Sequence, residues 1–329
     1  MSTIELSPTQ RELPTPREVT DPATRADRLF AFATSAAGFA VFALLVVIGA
    51  FLVLRASKTF EAQGLSFFTR VEWRGDTKPA RLGVLGLLSG TIIVATIAVL
   101  IAIPVAVMTS LYITVYAAPR PRQLLSNFVD LLAAIPALLY GIWGFGFLST
   151  QIVPLSRWLS RNFSWFPPFR TDHDAALTGS FFGAGIVVSL MVIPIITSIT
   201  REVFAQAPVG EKEAALSLGG SEWSMARRVV IPYGRGGIVG GAMLGLGRAL
   251  GETIAVSLLL PQVPGLSLRI FQNGGGTISG FIAQRAGSDP VTVSGLMAAG
   301  LVLFALTLVT NLIASVVISR SRSGAGVEL

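Results

Sequence analysis

The chain has 329 residues, 52% of them hydrophobic and only 13% charged, which excludes an ordinary soluble domain and suits a polytopic membrane protein. It has no cysteine, so disulfides and thiolate metal sites are excluded. The net charge of +7 is spread over loops rather than gathered on one face with interleaved aromatics, which excludes a nucleic-acid surface and fits charges flanking a membrane and meeting anionic lipid headgroups.

Residues 1–28 are polar, carry charges of both signs and contain Pro8, Pro14, Pro16 and Pro22. They read as a disordered tail, not a signal peptide, because the tail is acidic as well as basic and the apolar run after it is too long. Apolar runs then fall at about 29–54, 82–114, 128–153, 177–199, 236–260 and 292–318. Each is near or above the ~20 residues a helix needs to cross a bilayer. Alternating β-barrel patterning is absent, so the expectation is an all-α integral membrane protein with six transmembrane helices. Pro104, Pro136 and Pro194 remove backbone donors from the second, third and fourth spans and predict kinks. Asp130 opens the third span, where a carboxylate in the first turn of a helix is ordinary capping chemistry. His173, between Asp172 and Asp174, reads as a solvated loop residue.

Between the fourth and fifth runs lies EKEAALSLGGSEWSMARRVVIP. Pro208 precedes a short helix with Glu211 and Glu213 in its first turn, where carboxylates favour the positive end of the dipole. Gly219 and Gly220 end it, and Ser221 is placed to cap a second helix. In that helix Trp223, Ala226, Val230 and Tyr233 make an apolar stripe, and Pro232 is expected to stop it. The residues alone allow either a stiff lever or an amphipathic surface pair.

The fifth run, GGIVGGAMLGLGRALGETIAVSLLL, holds Arg248 near its centre and Glu252 four residues on. A charge at bilayer depth costs about 2.5–3.5 kcal/mol on insertion scales. The i,i+4 spacing puts the two on one helix face, so they can neutralise each other. They read either as an anion site, the guanidinium fork matching a phosphate and Glu252 holding it between solutes, or as a structural ion pair. Gly237, Gly241 and Gly245, with Gly247 and Gly251, make small-residue ridges for close helix packing.

Glu213-Ala214-Ala215, Gly219, Val229, Ile231 and Pro232 together resemble the EAA loop of ABC importer permeases, with Val229 and Ile231 in place of the usual Ile and Leu. GLGRALGETIAV (245–256), DLLAAIPALLYGIWGFG (130–146), MVIPIITSITREVF (191–204) and TISGFIAQRAGSDP (277–290) resemble the phosphate importer permeases of the PstC type. The resemblance implies a type I ABC importer permease fold spanning 29–319, with the EAA loop at 200–235 and a C-terminal tail at 320–329. It implies a phosphate path with Arg248 and Glu252, and an ATPase contact through Glu213, Ala214, Ala215, Gly219 and Pro232. It implies as partners a PstA-type permease, an ATPase dimer and an extracytoplasmic phosphate-binding protein. No G-x-x-x-x-G-K-[ST] occurs, so the chain is expected to be no enzyme and to bind no cofactor, with ATP held by the partner. With the N-terminus inside, thirteen basic residues fall on inner segments and eleven on outer ones, so charge barely sets the orientation. The EAA loop decides it: both termini are expected in the cytoplasm of a bacterial inner membrane. Alternatives are a permease for sulfate or molybdate, a proton-driven transporter using Glu252, and a non-transporting scaffold.

Overall fold

A computed structural model describes residues 24–321 except 76, 78 and 288. Most of the expected N-terminal tail, and the C-terminal tail from 322, lie outside the described residues. By contacts the chain divides within its first helix, α1 (Arg25–Gln63), into one unit up to Ile48 and another from Gly49. α1 begins inside the stretch expected as tail, where Asp27 accepts hydrogen bonds from the backbone and hydroxyl of Thr24.

The helices of the second unit follow in order. They are α2 (Leu85–Leu111), α3 (Pro119–Ala134), α4 (Ala137–Trp143), α5 (Val153–Asn162), α6 (Phe181–Ala205), α7 (Val209–Ser217), α8 (Arg235–Gly251), α9 (Ile254–Leu259), α10 (Ile278–Arg285) and α11 (Pro290–Ser321), with shorter turns between them. Among the described residues no β-strand forms. Among the described residues, four helical stretches are long and apolar enough to cross a membrane: Arg25–Gln63, Leu85–Tyr116, Phe181–Ala205 and Pro290–Val317. The count reaches six if each of two bent pairs is one span: Pro119–Ala134 with Ala137–Gln151, bent by 87°, and Glu222–Tyr233 with Arg235–Gly251, bent by 65°.

The prolines act unequally. Pro136 marks the 87° break, whereas α2 runs through Pro104 and α6 through Pro194. Pro232 lies one residue before the end of the continuous helical stretch Glu222–Tyr233, and the 65° bend to Arg235–Gly251 follows at Gly234.

Small residues set the packing. Ala98, Ala102 and Ala106 recur every fourth position on α2 and are wholly buried, so α6 approaches closely. The Ser110 hydroxyl donates to the Thr197 carbonyl at 2.9 Å across that interface. On α8, Gly237, Gly241 and Gly245 face α6: a Cβ at Gly245 would lie 2.6 Å from Val192 and one at Gly237 2.6 Å from Val203. The main core joins α2, α6, α8 and α9 through Val94, Val188, Val192, Ile196, Leu250 and Val256.

Candidate functional site

Because the glycine ridge turns one side of α8 onto α6, the opposite side carries Leu244, Gly247, Arg248 and Gly251. These line a cavity of about 580 Å³ with Glu252, Ile195 of α6, and Thr307 and Asn311 of α11. Arg248 is exposed and has no ion-pair or hydrogen-bond partner among the described residues. Gly247 and Gly251 leave the space beside it open: a Cβ at Gly251 would meet nothing within 4 Å, and one at Gly247 only the Asn311 Oδ1 at 3.6 Å.

The continuous-helix expectation for Arg248 and Glu252 is corrected here. α8 ends at Gly251, and Glu252 has φ −65° and ψ 124°, an extended conformation. Glu252 is 7% exposed. Its Oε1 accepts from the Ala255 N–H at 3.2 Å, satisfying a free donor at the start of α9, and its carbonyl accepts from the Ser279 hydroxyl at 2.7 Å. The carboxylate is thus spent on the helix break and no ion pair joins it to Arg248. Both residues still line one cavity. Capping also explains why a buried acid is tolerated there.

Beyond α9 the chain runs without helix until α10, pinned by Gln262. This residue is 3% exposed and has φ 52°. Its Oε1 accepts from the Thr277 N–H at 3.0 Å and its Nε2 donates to the Val256 carbonyl at 3.1 Å. Nothing in the local sequence marked this residue. Asn311 did carry a signal, as a polar side chain in the apolar run of α11, and was missed.

The segment expected as an EAA loop is built by local turn chemistry. α7 ends with Gly219 at φ +82°, the left-handed geometry that favours glycine, and the Gly220 N–H donates to the Ala215 carbonyl at 3.2 Å. Ser221 caps the next helix, its Oγ accepting from the Ser224 N–H at 3.2 Å. Of the apolar stripe, Ala226 and Val230 are fully buried with Phe204 and Leu111, while Trp223 and Tyr233 stay about half exposed. Ala215 packs against this cluster, whereas Glu213, Ala214 and Gly219 are exposed and Leu218 is 90% exposed. The segment is therefore anchored on one side and uncovered on the other. Asp130 lies near the end of α3, not its start, and pairs with Arg201 of α6 at 3.3 Å.

Residues 102–323 match the model of the binding-protein-dependent transport system inner membrane component family. The chain belongs to that family. Members of this permease family that it resembles include the phosphate transport system permease protein PstC 2 of Mycobacterium tuberculosis, 40% identical over 88% of this chain and 91% of that one. PstC of Mesorhizobium japonicum is 36% identical over 97% of this chain and 100% of that one. Among solved structures, a bacterial ABC transporter involved in the import of the acidic polysaccharide alginate aligns over 89% of this chain and 99% of its own, with 17% identity and a TM-score of 0.50, a likeness of fold alone. As a permease of this family with several apolar helices, the chain is a multi-pass inner-membrane transport subunit.

Proposed function

We propose that the chain is the membrane subunit of an ATP-driven importer of inorganic phosphate, of the PstC type. The observation that carries this is the match, over nearly the whole length of both chains, to relatives named phosphate transport system permease PstC. The cavity beside Arg248 supports it. A lone guanidinium at membrane depth offers a charged fork for an oxyanion, and its placement on an open cavity wall favours weak, reversible binding over trapping. Glu252 belongs to the path as the residue that breaks the helix and presents Arg248 at its end.

The exposed side of the EAA segment, with Glu213, Ala214 and Gly219, is the surface we assign to a separate ATPase, two copies of which bind ATP. Ala215 and Pro232 serve the anchored side. A PstA-type permease completes the path and an extracytoplasmic phosphate-binding protein delivers the solute. Both termini are then cytoplasmic. ATP binding closes the ATPase dimer, the anchored segment passes that movement to the helices beside it, and phosphate passes Arg248 inward.

The test is the initial rate of labelled phosphate uptake at limiting phosphate in cells lacking this gene, complemented with wild type, Arg248→Ala or Arg248→Lys at equal membrane abundance. Wild type restores uptake, Arg248→Ala reduces it at least about 100-fold, in line with about 3 kcal/mol for a lost charged contact, and Arg248→Lys recovers part of it. Wild type restoring sulfate or molybdate uptake instead would reassign the solute. Failure of Arg248→Ala to assemble with its partners would make the arginine structural.

A further inference from the structure

A second cavity, with basic side chains on its wall, shares no lining residue with the one beside Arg248 and reaches the segment that carries Glu213. It has a volume of about 520 Å³ and is lined by Arg122 and Ser126 of α3, Arg201 and Glu202 of α6, Gln206 at the end of α6, and Lys212 of α7. Arg122 is fixed: its Nε donates to the Ile113 carbonyl at 2.9 Å and its Nη2 to the Thr114 carbonyl, closing the wide turn Tyr112–Tyr116 at the end of α2. Arg201 is fixed by Asp130 through Nη2, while its Nη1 is buried without a hydrogen-bond partner. A buried donor left unpaired is costly, and such groups point to a ligand or an ordered molecule. The Lys212 side chain has no ion-pair or hydrogen-bond partner among the described residues. Partial burial and the nearby Arg122 charge hold its ammonium below the usual lysine range.

We infer that this cavity is a binding site for a phosphate group, carried either by inorganic phosphate or by a lipid headgroup. Its donors converge from separate helices, as a tetrahedral oxyanion with several acceptors requires, and two of the three cations are positioned by other bonds before any ligand arrives. An anion seated between Lys212 and Arg122 turns a repulsion between like charges into two attractions. Glu202 is the opposing charge on the wall and limits the affinity. A bound phosphate group would tie α7 to α3 and α6 and so restrain the EAA segment. That consequence rests on the coupling role proposed above; the site itself does not.

The test uses the assembled complex in an Arg248→Ala background, or in the wild-type background should that variant not assemble, and compares Lys212 variants within one background, so that the path residue is constant and failure of the transport reading leaves the result intact. Lys212 is left unchanged or replaced by Gln or Arg, with assembly checked by gel filtration. One arm measures equilibrium binding of labelled inorganic phosphate. The other counts phosphatidylglycerol retained per complex by native mass spectrometry after extraction from bilayers containing it. Lys212→Gln is expected to weaken phosphate binding at least tenfold, or to remove one retained lipid per chain, and Lys212→Arg to restore what was lost. The first outcome assigns the free ion and the second the headgroup. Unchanged binding in both arms for Lys212→Gln would overturn the proposal.

Discussion

Arg248 and Glu252 stand four residues apart in the chain yet have separate tasks. The extended backbone at Glu252 takes the carboxylate to the Ala255 N–H, leaving Arg248 uncompensated on its cavity wall. Replacing Glu252 by Ala removes the cap and is expected to destabilise the fold by about 1 kcal/mol. Glu252→Gln keeps an acceptor of the same reach and is expected to hold the wild-type thermal midpoint. Uptake then separates two roles. If Glu252→Gln transports like wild type, the side chain acts through the helix break. If transport falls with the midpoint unchanged, its charge acts on the solute. The residue types and their spacing were plain in the sequence. The pairing was not, because i,i+4 proximity presumes a continuous helix, and the break depends on Ser279 and on the chain that follows.

At the scale of elements, the glycines of α8 divide by face. A Cβ at Gly245 would lie 2.6 Å from Val192 and 3.0 Å from Ile196, whereas one at Gly251 meets nothing within 4 Å. Gly245→Ala should therefore force α6 and α8 apart at a cost of about 1–3 kcal/mol, read as a lower thermal midpoint and reduced assembly. Gly251→Ala should leave folding unchanged or slightly improved, since alanine is the better helix former. A measured order opposite to this would mean that the glycine ridge does not set the packing. The spacing of four made the ridge legible beforehand. Which glycines packed and which opened onto the cavity required the neighbouring helices. The prolines make the same point: Pro136 and Pro232 each lie beside a bend, whereas Pro104 and Pro194 sit inside helices that continue through them.

For the whole molecule, the EAA segment is the feature that reaches outward. Ala226 and Val230 are buried with Phe204 and Leu111, so the segment is packed against the ends of α2 and α6, while Glu213 and Leu218 remain exposed. Glu213→Lys, a change on the exposed side, should leave the chain folded and inserted, with a normal midpoint, yet lower the amount of ATPase that copurifies and reduce uptake in proportion. Normal copurification with normal uptake would place the ATPase contact elsewhere. The broad arrangement follows from the sequence alone. Apolar runs of about 20 residues must be helices, because a bilayer offers no partner for free backbone groups. The turn chemistry of Gly219 and Ser221 and the lone charges within an apolar run were likewise set by local rules. Tertiary structure alone decided where the fifth run breaks, that Asp130 meets Arg201, that Gln262 pins the chain after α9, and that Arg122, Arg201 and Lys212 share a cavity. These joinings bring together residues far apart in sequence, and no local pattern records the energy of contacts made across that distance.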